Sequence, residues 1–146
     1  MARSYYSTVI DLPADKVWAV ARDFNGLATW WAENVSASEI EDGKTGDTVG
    51  AIRKFLFGPD TIREHQVELS DVNRRCIYEF CDPAPFPVLN YLATLQLTPI
   101  TDGDRTFLEW WTDFDCEVEK LDYWCEFFAA NVFAPAVASL AAYAAG

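Results

Sequence analysis

The residue pair with the greatest chemical potential is an arginine and a glutamate on neighbouring predicted strands. Arg53 shares one strand face with Phe55 and Phe57, and Glu64 lies on the next strand. An arginine on an apolar face is costly unless it pairs with a carboxylate or faces a wet cavity. Such a pair can stabilise developing negative charge while the glutamate, or a water bound to it, moves a proton. An internal ion pair that only organises the sheet explains the same two residues equally well.

The strand that carries Glu64 leaves open which of its two faces points inward. If Glu64 faces inward, strict alternation brings Gln66 and Glu68 inward with it and turns His65 outward. The apolar residues of this strand alone favour the opposite choice. His65 is the only histidine, and its unperturbed pKa near neutrality makes it a candidate general base if it faces inward. A surface histidine without a catalytic role is the alternative.

Two tyrosines and a set of aromatic residues provide candidate walls for a binding site. Tyr78 and Tyr91 each lie on an apolar strand face with a hydroxyl that needs a partner, either a ligand carbonyl or the backbone of a core. The other candidate ligand-binding residues, beside Phe55, Phe57 and Gln66, are Trp30, Phe80, Phe86, Trp110, Thr112, Phe114, Trp124, Phe128 and Asn131. An aromatic share of 15% indicates either a large core or a pocket for an apolar molecule.

A long helix at the end of the chain is the element around which the rest is predicted to pack. From Glu119 to Tyr143, apolar residues recur at steps of three and four, which places them on one face. Asn131 falls in the middle of this predicted inward face. There it would bond to Glu64, to Thr112, to a ligand, or to the carbonyl that Pro135 leaves without a donor.

The remaining elements are predicted to form an antiparallel sheet with two short helices. A first strand over Ser4 to Asp11 precedes one helix that opens at Pro13 and a second over Leu27 to Trp31. The two tryptophans of this second helix are candidate lid residues or, alternatively, anchors for the helix itself. Six alternating segments between Ser36 and Asp115 then predict six further strands. One apolar helix and one sheet bury their faces against each other, which predicts an α+β fold.

Composition excludes several classes of function for this chain of 146 residues, a length typical of one domain. A net charge of −12 disfavours nucleic acid and anionic membranes as partners. The chain has no stretch of 18 apolar residues without a charge, so no membrane span is predicted. The N-terminus lacks an apolar signal core, which predicts a cytoplasmic location. The four cysteines lack CxxC spacing, so no metal site is predicted. The sequence has neither a glycine-rich phosphate loop nor a dinucleotide fingerprint, so no cofactor is predicted.

Several short motifs occur in a diagnostic order along the chain. They are Val17-Trp18, Asp23-Phe24, the GAIRKF strand from Gly50 to Phe55, Glu64, Asp71 with the strand RCIYEF, Pro87, Tyr91, Thr94-Leu95, and Trp110, Thr112 and Phe114 of the last strand. In this order they resemble the SRPBCC superfamily, which includes START domains and the birch-pollen allergen group. The small bacterial polyketide cyclase/dehydrase-like branch is the most similar.

This resemblance implies a helix-grip fold over residues 1–146. A curved antiparallel sheet of about seven strands would wrap the C-terminal helix, leave a cavity between them, and carry two short helices after the first strand. The positions of Arg53, Glu64, Tyr78 and Tyr91 would line that cavity. A ligand would enter between the turn from Phe57 to Asp60 and the loop from Asp82 to Pro87.

The resemblance further implies a small, largely apolar ligand, polyketide-like or aromatic, bound by a monomer or homodimer. Cofactor-free cyclisation, dehydration or a related proton transfer is the leading expectation for the chemistry. A non-catalytic carrier, or a sensor whose loops close over the ligand, is the alternative, because the superfamily hosts both kinds of function on one scaffold.

Overall fold

A seven-stranded antiparallel sheet forms the frame of the protein, and the computed structural model describes all residues from 1 to 146. The strands are β1 (Ala2–Ile10), β2 (Val35–Ile40), β3 (Ile52–Phe57), β4 (Asp60–Ser70), β5 (Arg75–Phe80), β6 (Leu89–Ile100) and β7 (Arg105–Asp115). Their spatial order is β1-β7-β6-β5-β4-β3-β2. The first two strands in sequence therefore lie at the two opposite edges of the sheet.

The helices lie in two parts of the chain. Between β1 and β2 are α1 (Ala14–Ala21), which begins directly after Pro13, and the single-turn helix α2 (Leu27–Trp30). The C-terminal helix consists of α3 (Leu121–Glu126), a π-helical segment (Phe127–Phe133) and α4 (Ala134–Ala145). Short 3₁₀ turns cover Glu41–Gly43 and Val118–Lys120. This order confirms the predicted α+β helix-grip fold, with a curved sheet around a long C-terminal helix.

The core lies between the inner face of the sheet and the C-terminal helix. Strand β7 shows the packing rule most clearly, because its buried and half-exposed residues alternate over its whole length. The buried set on this strand is Thr106, Leu108, Trp110, Thr112 and Phe114. On the helix, Phe128, Phe133, Val137 and Leu140 are buried against it. The side chains from these two elements form most of the wall that any internal site must use.

A β-bulge in β4 settles which residues of that strand face inward. Glu64 pairs with Phe80 and Gln66 with Tyr78, but the register then shifts so that Glu68 pairs with Ile77. Glu64 and Gln66 are buried, and His65 is half-exposed. The expectation that Glu68 follows Glu64 inward is wrong, because one extra residue in the bulge reverses the alternation.

After the bulge, the outward and inward residues of β4 exchange places. The Glu68 carboxylate receives a 2.8 Å bond from Arg75 Nε at the outer face, and Leu69 packs against the core. The apolar Leu69 and the inward Glu64 are therefore compatible on one strand, which strict alternation does not allow.

The C-terminal helix departs from the predicted register at the π-helical segment. A regular α-helix would place Asn131 below Phe128 on the inward face, but Asn131 is exposed and Phe133 is fully buried instead. The prediction of an inward Asn131 is wrong because a π-turn holds an extra residue and rotates the residues after it. Pro135 has no N–H for the carbonyl of Asn131, so the α-helical bond is missing at the end of this segment.

By length and composition alone, the helical stretch Val118–Ala145 would suit a membrane span, with a mean hydropathy of 1.5. In this fold its apolar stripe packs against the sheet, with Phe133 and Leu140 fully buried. It is the core helix of the domain architecture described above.

Candidate functional site

A cavity of about 40 Å³ lies between the sheet, α2 and the π-helical segment. Twelve of its fourteen lining residues are hydrophobic, and the other two are Arg53 and Glu64. Eleven residues singled out in the sequence line it: Trp31, Arg53, Phe55, Phe57, Glu64, Tyr78, Phe80, Phe86, Tyr91, Trp110 and Phe128. The cavity therefore presents one charged spot in an otherwise aromatic and aliphatic wall.

The volume limits what the cavity can hold as it stands. A buried water needs about 10–15 Å³ of such volume, and an engineered cavity that binds benzene measures about 150 Å³. The space here accommodates about three water molecules by that measure. An aromatic ligand fits only after a lining side chain moves.

The charged spot is a cross-strand ion pair between β3 and β4. Arg53 and Glu64 lie directly opposite each other in the antiparallel ladder. Arg53 Nε donates to Glu64 Oε1 at 2.7 Å, and Arg53 Nη2 lies 2.6 Å from the same oxygen. No donor bonds to Glu64 Oε2. Both contacts thus fall on one carboxylate oxygen, and the other oxygen is left for whatever enters the cavity.

Aromatic rings and a backbone carbonyl hold the Arg53 guanidinium in place. Its central carbon lies 4.0 Å from the centroid of the Phe24 ring and 4.8 Å from that of Tyr78. Nη1 donates to the carbonyl of Phe24 at 3.3 Å. Ring faces attract a cation and are favourable surroundings when it is removed from water. Arg53 is fixed at the cavity wall and remains charged.

Burial dominates the protonation of the glutamate. Removal from water raises the pKa of Glu64 above its ordinary value, although the adjacent Arg53 acts in the opposite direction. The pKa of Arg53 is also raised: burial, the largest single effect, lowers it, but the nearby Glu64, Tyr78 and Cys76 together outweigh burial. A carboxylate with a raised pKa is a stronger base than one in water.

The two predicted tyrosines lie beside the ion pair as neutral phenols. Burial raises the pKa of both Tyr78 and Tyr91, so both stay protonated at neutral pH. Trp110 Nε1 donates to the Tyr78 hydroxyl oxygen at 3.1 Å, which leaves the Tyr78 proton available as a donor. The site therefore combines one carboxylate base with phenolic hydrogen-bond donors.

Phe86 closes the cavity from the proline-rich loop between β5 and β6. Its ring lies 5.3–6.0 Å, centroid to centroid, from four other aromatic rings: Phe80, Trp124, Phe127 and Phe128. Phe86 is only half-buried and belongs to a loop, whereas the Phe80 and Tyr91 rings beneath it stack at 3.8 Å within the sheet. Among the lining side chains, Phe86 is thus the one with the most freedom to withdraw.

The structure places seven of the predicted site residues outside the cavity lining. They are His65, Gln66, Trp30, Thr112, Phe114, Trp124 and Asn131. His65 lies on the outer face of the sheet, with Nδ1 3.1 Å from a Glu79 oxygen. The Thr112 hydroxyl donates to the backbone carbonyl of Leu92 at 3.2 Å. Because successive residues of β4 point to opposite faces of the sheet, His65 lies on the other side of the sheet from the ion pair.

The aromatic members of this group support the cavity from behind. Phe114 packs edge-on against Phe128 with 5.3 Å between ring centroids. Trp124 touches Phe86 and faces an open groove that also contains Pro87 and Lys120. Trp30 lies on the opposite side of α2 from the cavity, in a surface groove beside Gly26. These rings shape the site through their neighbours.

Gln66 is fully buried, but its side chain hydrogen-bonds to a loop and does not line the cavity. Its side-chain nitrogen donates to the carbonyls of Thr48, at 2.9 Å, and Gly46, at 3.3 Å. Its oxygen accepts a 3.6 Å contact from the Cys76 thiol. Gly50 and Ala51, predicted as the start of the GAIRKF strand, lie outside it, and β3 begins only at Ile52. Burial of a polar side chain here follows from loop docking.

Replacing Gln66 with leucine is expected to destabilise the fold by about 2 kcal/mol, because two loop carbonyls lose their buried donor. Urea unfolding would measure the change, with Gln96→Leu, on the half-exposed outer face of β6, as a matched control within about 0.5 kcal/mol of wild type. Equal effects from the two substitutions would contradict the structural role of Gln66.

Three lining residues had no functional prediction: Leu27, Ile62 and Val132. Ile62 precedes the inward Glu64 by two residues, and Leu27 precedes Trp31 by four. Strand spacing therefore places Ile62 on the same face as Glu64, and helix spacing places Leu27 on the same face as Trp31. Val132 reaches the cavity only because the π-helical segment changes the helical register. No local sequence signal indicates that change.

Comparison with known proteins agrees with this architecture. The model of the family described as polyketide cyclase / dehydrase and lipid transport matches residues 1–145. Among curated proteins, none matches this sequence.

Three solved structures illustrate the similarity. A solution NMR structure from Thermobifida fusca is 31% identical, with a TM-score of 0.85 over 99% of this chain and 93% of that one. The protein XoxI from Bacillus cereus is 26% identical, with a TM-score of 0.83 over 98% and 95%. Norcoclaurine synthase from Thalictrum flavum, solved with dopamine and hydroxybenzaldehyde, is 15% identical, with a TM-score of 0.77 over 97% and 84%. At that identity, the last comparison concerns the fold alone.

Proposed function

Because the chain belongs to the polyketide cyclase / dehydrase and lipid transport family, we propose that it binds a small, largely apolar molecule in the cavity and catalyses a cofactor-free proton transfer on it. Cyclisation, dehydration and isomerisation all begin with such a step. The ligand is polyketide-like or aromatic, in keeping with the aromatic wall.

One observation carries the catalytic part of the proposal. Both Arg53 contacts fall on Glu64 Oε1, so Oε2 is unbonded in a residue that lines the cavity. A carboxylate oxygen without a partner in an apolar cavity is a good base, because burial raises the pKa of Glu64 above its ordinary value. A purely structural ion pair would gain more by engaging both oxygens, as bidentate pairs do.

The neighbouring groups fit the two ends of a proton transfer. Glu64 Oε2 would remove a proton next to a ligand carbonyl, and the neutral hydroxyl of Tyr78 or Tyr91 would donate a hydrogen bond to the developing enolate oxygen. Arg53, held by Glu64 and by the Phe24 carbonyl, would keep the carboxylate oriented and balance its charge. Each part of this scheme uses residues already assembled at one point of the cavity.

Ligand uptake in this proposal requires the proline-rich loop to move. The present volume of about 40 Å³ excludes an aromatic ring, and withdrawal of Phe86 would open the cavity towards the groove beside Trp124. The bound dopamine and hydroxybenzaldehyde of norcoclaurine synthase show that small aromatic molecules are ligands in one protein of similar fold.

A second candidate function is that of a non-catalytic carrier or sensor with closing loops. Closure of the cavity by Phe86 favours it, because the ring contacts both the sheet and the C-terminal helix and would report on ligand occupancy. The family description also includes lipid transport. A measurement of ligand turnover distinguishes the catalytic function from the carrier or sensor function.

The test begins with natively purified protein, from which bound small molecules are extracted and identified by mass spectrometry. The extract is then incubated with wild type and with the double variant Arg53→Met/Glu64→Leu, which lacks the base without leaving an unpaired buried charge. Conversion by wild type alone supports catalysis. Binding without conversion by either protein supports the carrier. Absence of any bound or binding aromatic molecule contradicts both.

The pH dependence of turnover provides a second readout in the same experiment. Glu64 acts only when ionised, and burial raises its pKa, so the rate is expected to rise with pH through a midpoint above the ordinary glutamate value. A rate that is independent of pH between about 4 and 7 would contradict Glu64 as the base.

A further inference from the structure

The Phe24 side chain touches the ion pair without lining the cavity. Phe24 lies in the turn between α1 and α2 and is 2% exposed. Its ring centroid is 4.0 Å from the central carbon of the Arg53 guanidinium, closer than the rings of Tyr78, at 4.8 Å, and Phe55, at 5.6 Å. The residues around the cavity do not include it. Any effect of Phe24 on a ligand therefore passes through the residues that it holds.

The nitrogens of Arg53 are divided between two partners. Nε and Nη2 both meet Glu64 Oε1, whereas Nη1 donates to the carbonyl of Phe24 at 3.3 Å. A guanidinium that is free to turn would place Nε and Nη2 on the two oxygens of one carboxylate, because its planar fork matches that geometry. The observed pair departs from this geometry and leaves Oε2 unbonded. A restraint on Arg53 from the side of Phe24 accounts for the departure.

Phe24 is itself fixed by the loop between β2 and β3. Its backbone N–H donates to the carbonyl of Gly46 at 3.2 Å, and Gln66 Nε2 donates to the same carbonyl at 3.3 Å. Gly46 lies so close to the turn that a Cβ there would collide with the Asp23 carboxylate. Because these contacts hold the Phe24 backbone in place, its ring is a fixed surface against which Arg53 packs.

We propose that Phe24 is a positioning residue, whose ring face holds the Arg53 guanidinium in the orientation that leaves Glu64 Oε2 unbonded. The inference rests on the proposed function, which gives that oxygen its role as the base, but the orientation itself is measurable without a ligand. A ring face attracts a cation most strongly away from water, and both side chains are buried. Without that attraction, the guanidinium would turn towards the carboxylate and engage both oxygens.

The protonation of Glu64 reports this orientation. A carboxylate that accepts hydrogen bonds on both oxygens is stabilised in its ionised form, which lowers its pKa. Four other titratable side chains have Glu64 as an electrostatic neighbour, and burial raises the pKa of each, so all four are neutral at acidic pH: Cys76, Tyr78, Cys81 and Tyr91. A change in the Glu64 titration therefore reports its contact with Arg53.

An NMR titration of the Glu64 carboxyl carbon would test the inference in wild type and three variants. Phe24→Leu removes the ring, and Phe24→cyclohexylalanine keeps the ring volume without the π face. The control is Phe114→Leu, because Phe114 is equally buried but packs against Phe128 instead of the guanidinium. We expect both changes at position 24 to lower the midpoint by about one pH unit, a tenfold change in proton affinity, and the control to stay within about 0.3 of wild type.

The outcomes separate this inference from the function on which it rests. If Phe24→cyclohexylalanine leaves the midpoint unchanged, the ring face does not hold Arg53 and the inference is wrong, whatever Phe24→Leu does. If Phe114→Leu lowers the midpoint as much as Phe24→Leu, the change comes from loosened packing and the inference is equally wrong. The titration needs no ligand, so an absence of turnover would contradict the proposed function alone. Where turnover exists, the midpoint of the pH–rate profile is expected to fall with that of the titration, and a profile that does not follow would contradict Glu64 as the base.

Discussion

Removing the Glu64 carboxylate alone, by Glu64→Leu, is expected to destabilise the fold by about 3–5 kcal/mol, whereas Arg53→Met/Glu64→Leu recovers most of that loss. The single substitution leaves a buried guanidinium, 7% exposed, without its counter-charge. The double substitution replaces a charged pair by apolar side chains in an apolar wall, which is often neutral or stabilising.

A matched control exists on the opposite face of the same sheet. Arg3 and Asp113 are also directly opposed across two antiparallel strands and joined at 2.7 Å, but their side chains are 57% and 27% exposed. Asp113→Leu is expected to cost less than about 1 kcal/mol, because solvent screens the pair and hydrates the arginine it leaves.

Urea denaturation of these variants and wild type measures the differences. If Glu64→Leu and Asp113→Leu destabilise equally, the inner pair is not desolvated as described. If the double variant is as unstable as Glu64→Leu, the loss comes from the glutamate's packing and not from the unpaired charge. If the double variant is stable but has no turnover, the loss of activity comes from the missing carboxylate and not from unfolding, which supports the catalytic proposal.

Deleting Asn131 is expected to leave stability within about 1 kcal/mol of wild type, which is unusual for a deletion inside a helix. The π-helical segment holds one residue more than an α-helix of equal rise, so the deletion converts it to regular α-helix. Phe128 and Phe133, both buried, then lie four positions apart and keep their common face.

The control is deletion of Ala138, an exposed residue in the regular part of the same helix. Every later residue then rotates by about 100°, so Ala141 takes the buried place of Leu140. We expect a loss of about 3 kcal/mol, typical of a leucine replaced by alanine in a core. Thermal and urea unfolding measure both deletions, and an equal loss in the two would show that the π-helical register is not a single-residue insertion.

The sequence by itself determined those features that depend on local periodicity. Alternation in β3 placed Arg53 beside Phe55 on the inner face, and alternation in β7 did the same for Trp110 and Phe114. The order of elements followed from turn residues and apolar spacing, and one apolar helix beside one antiparallel sheet predicted an α+β fold. The helix-grip arrangement itself was implied by the resemblance to the SRPBCC superfamily. Such patterns repeat over several residues, so a single exception does not hide them.

Only the tertiary structure decided the features that depend on fit between elements. The bulge before Glu68 and the π-helical turn around Asn131 each insert one residue, and their positions follow from how the strand and helix must match their neighbours. The side of α2 that faces the cavity, and hence the choice of Trp31 over Trp30, was fixed in the same way. Which Glu64 oxygen receives the Arg53 contacts depends on the relative placement of β3 and β4 side chains that are eleven positions apart in sequence, which no local pattern encodes.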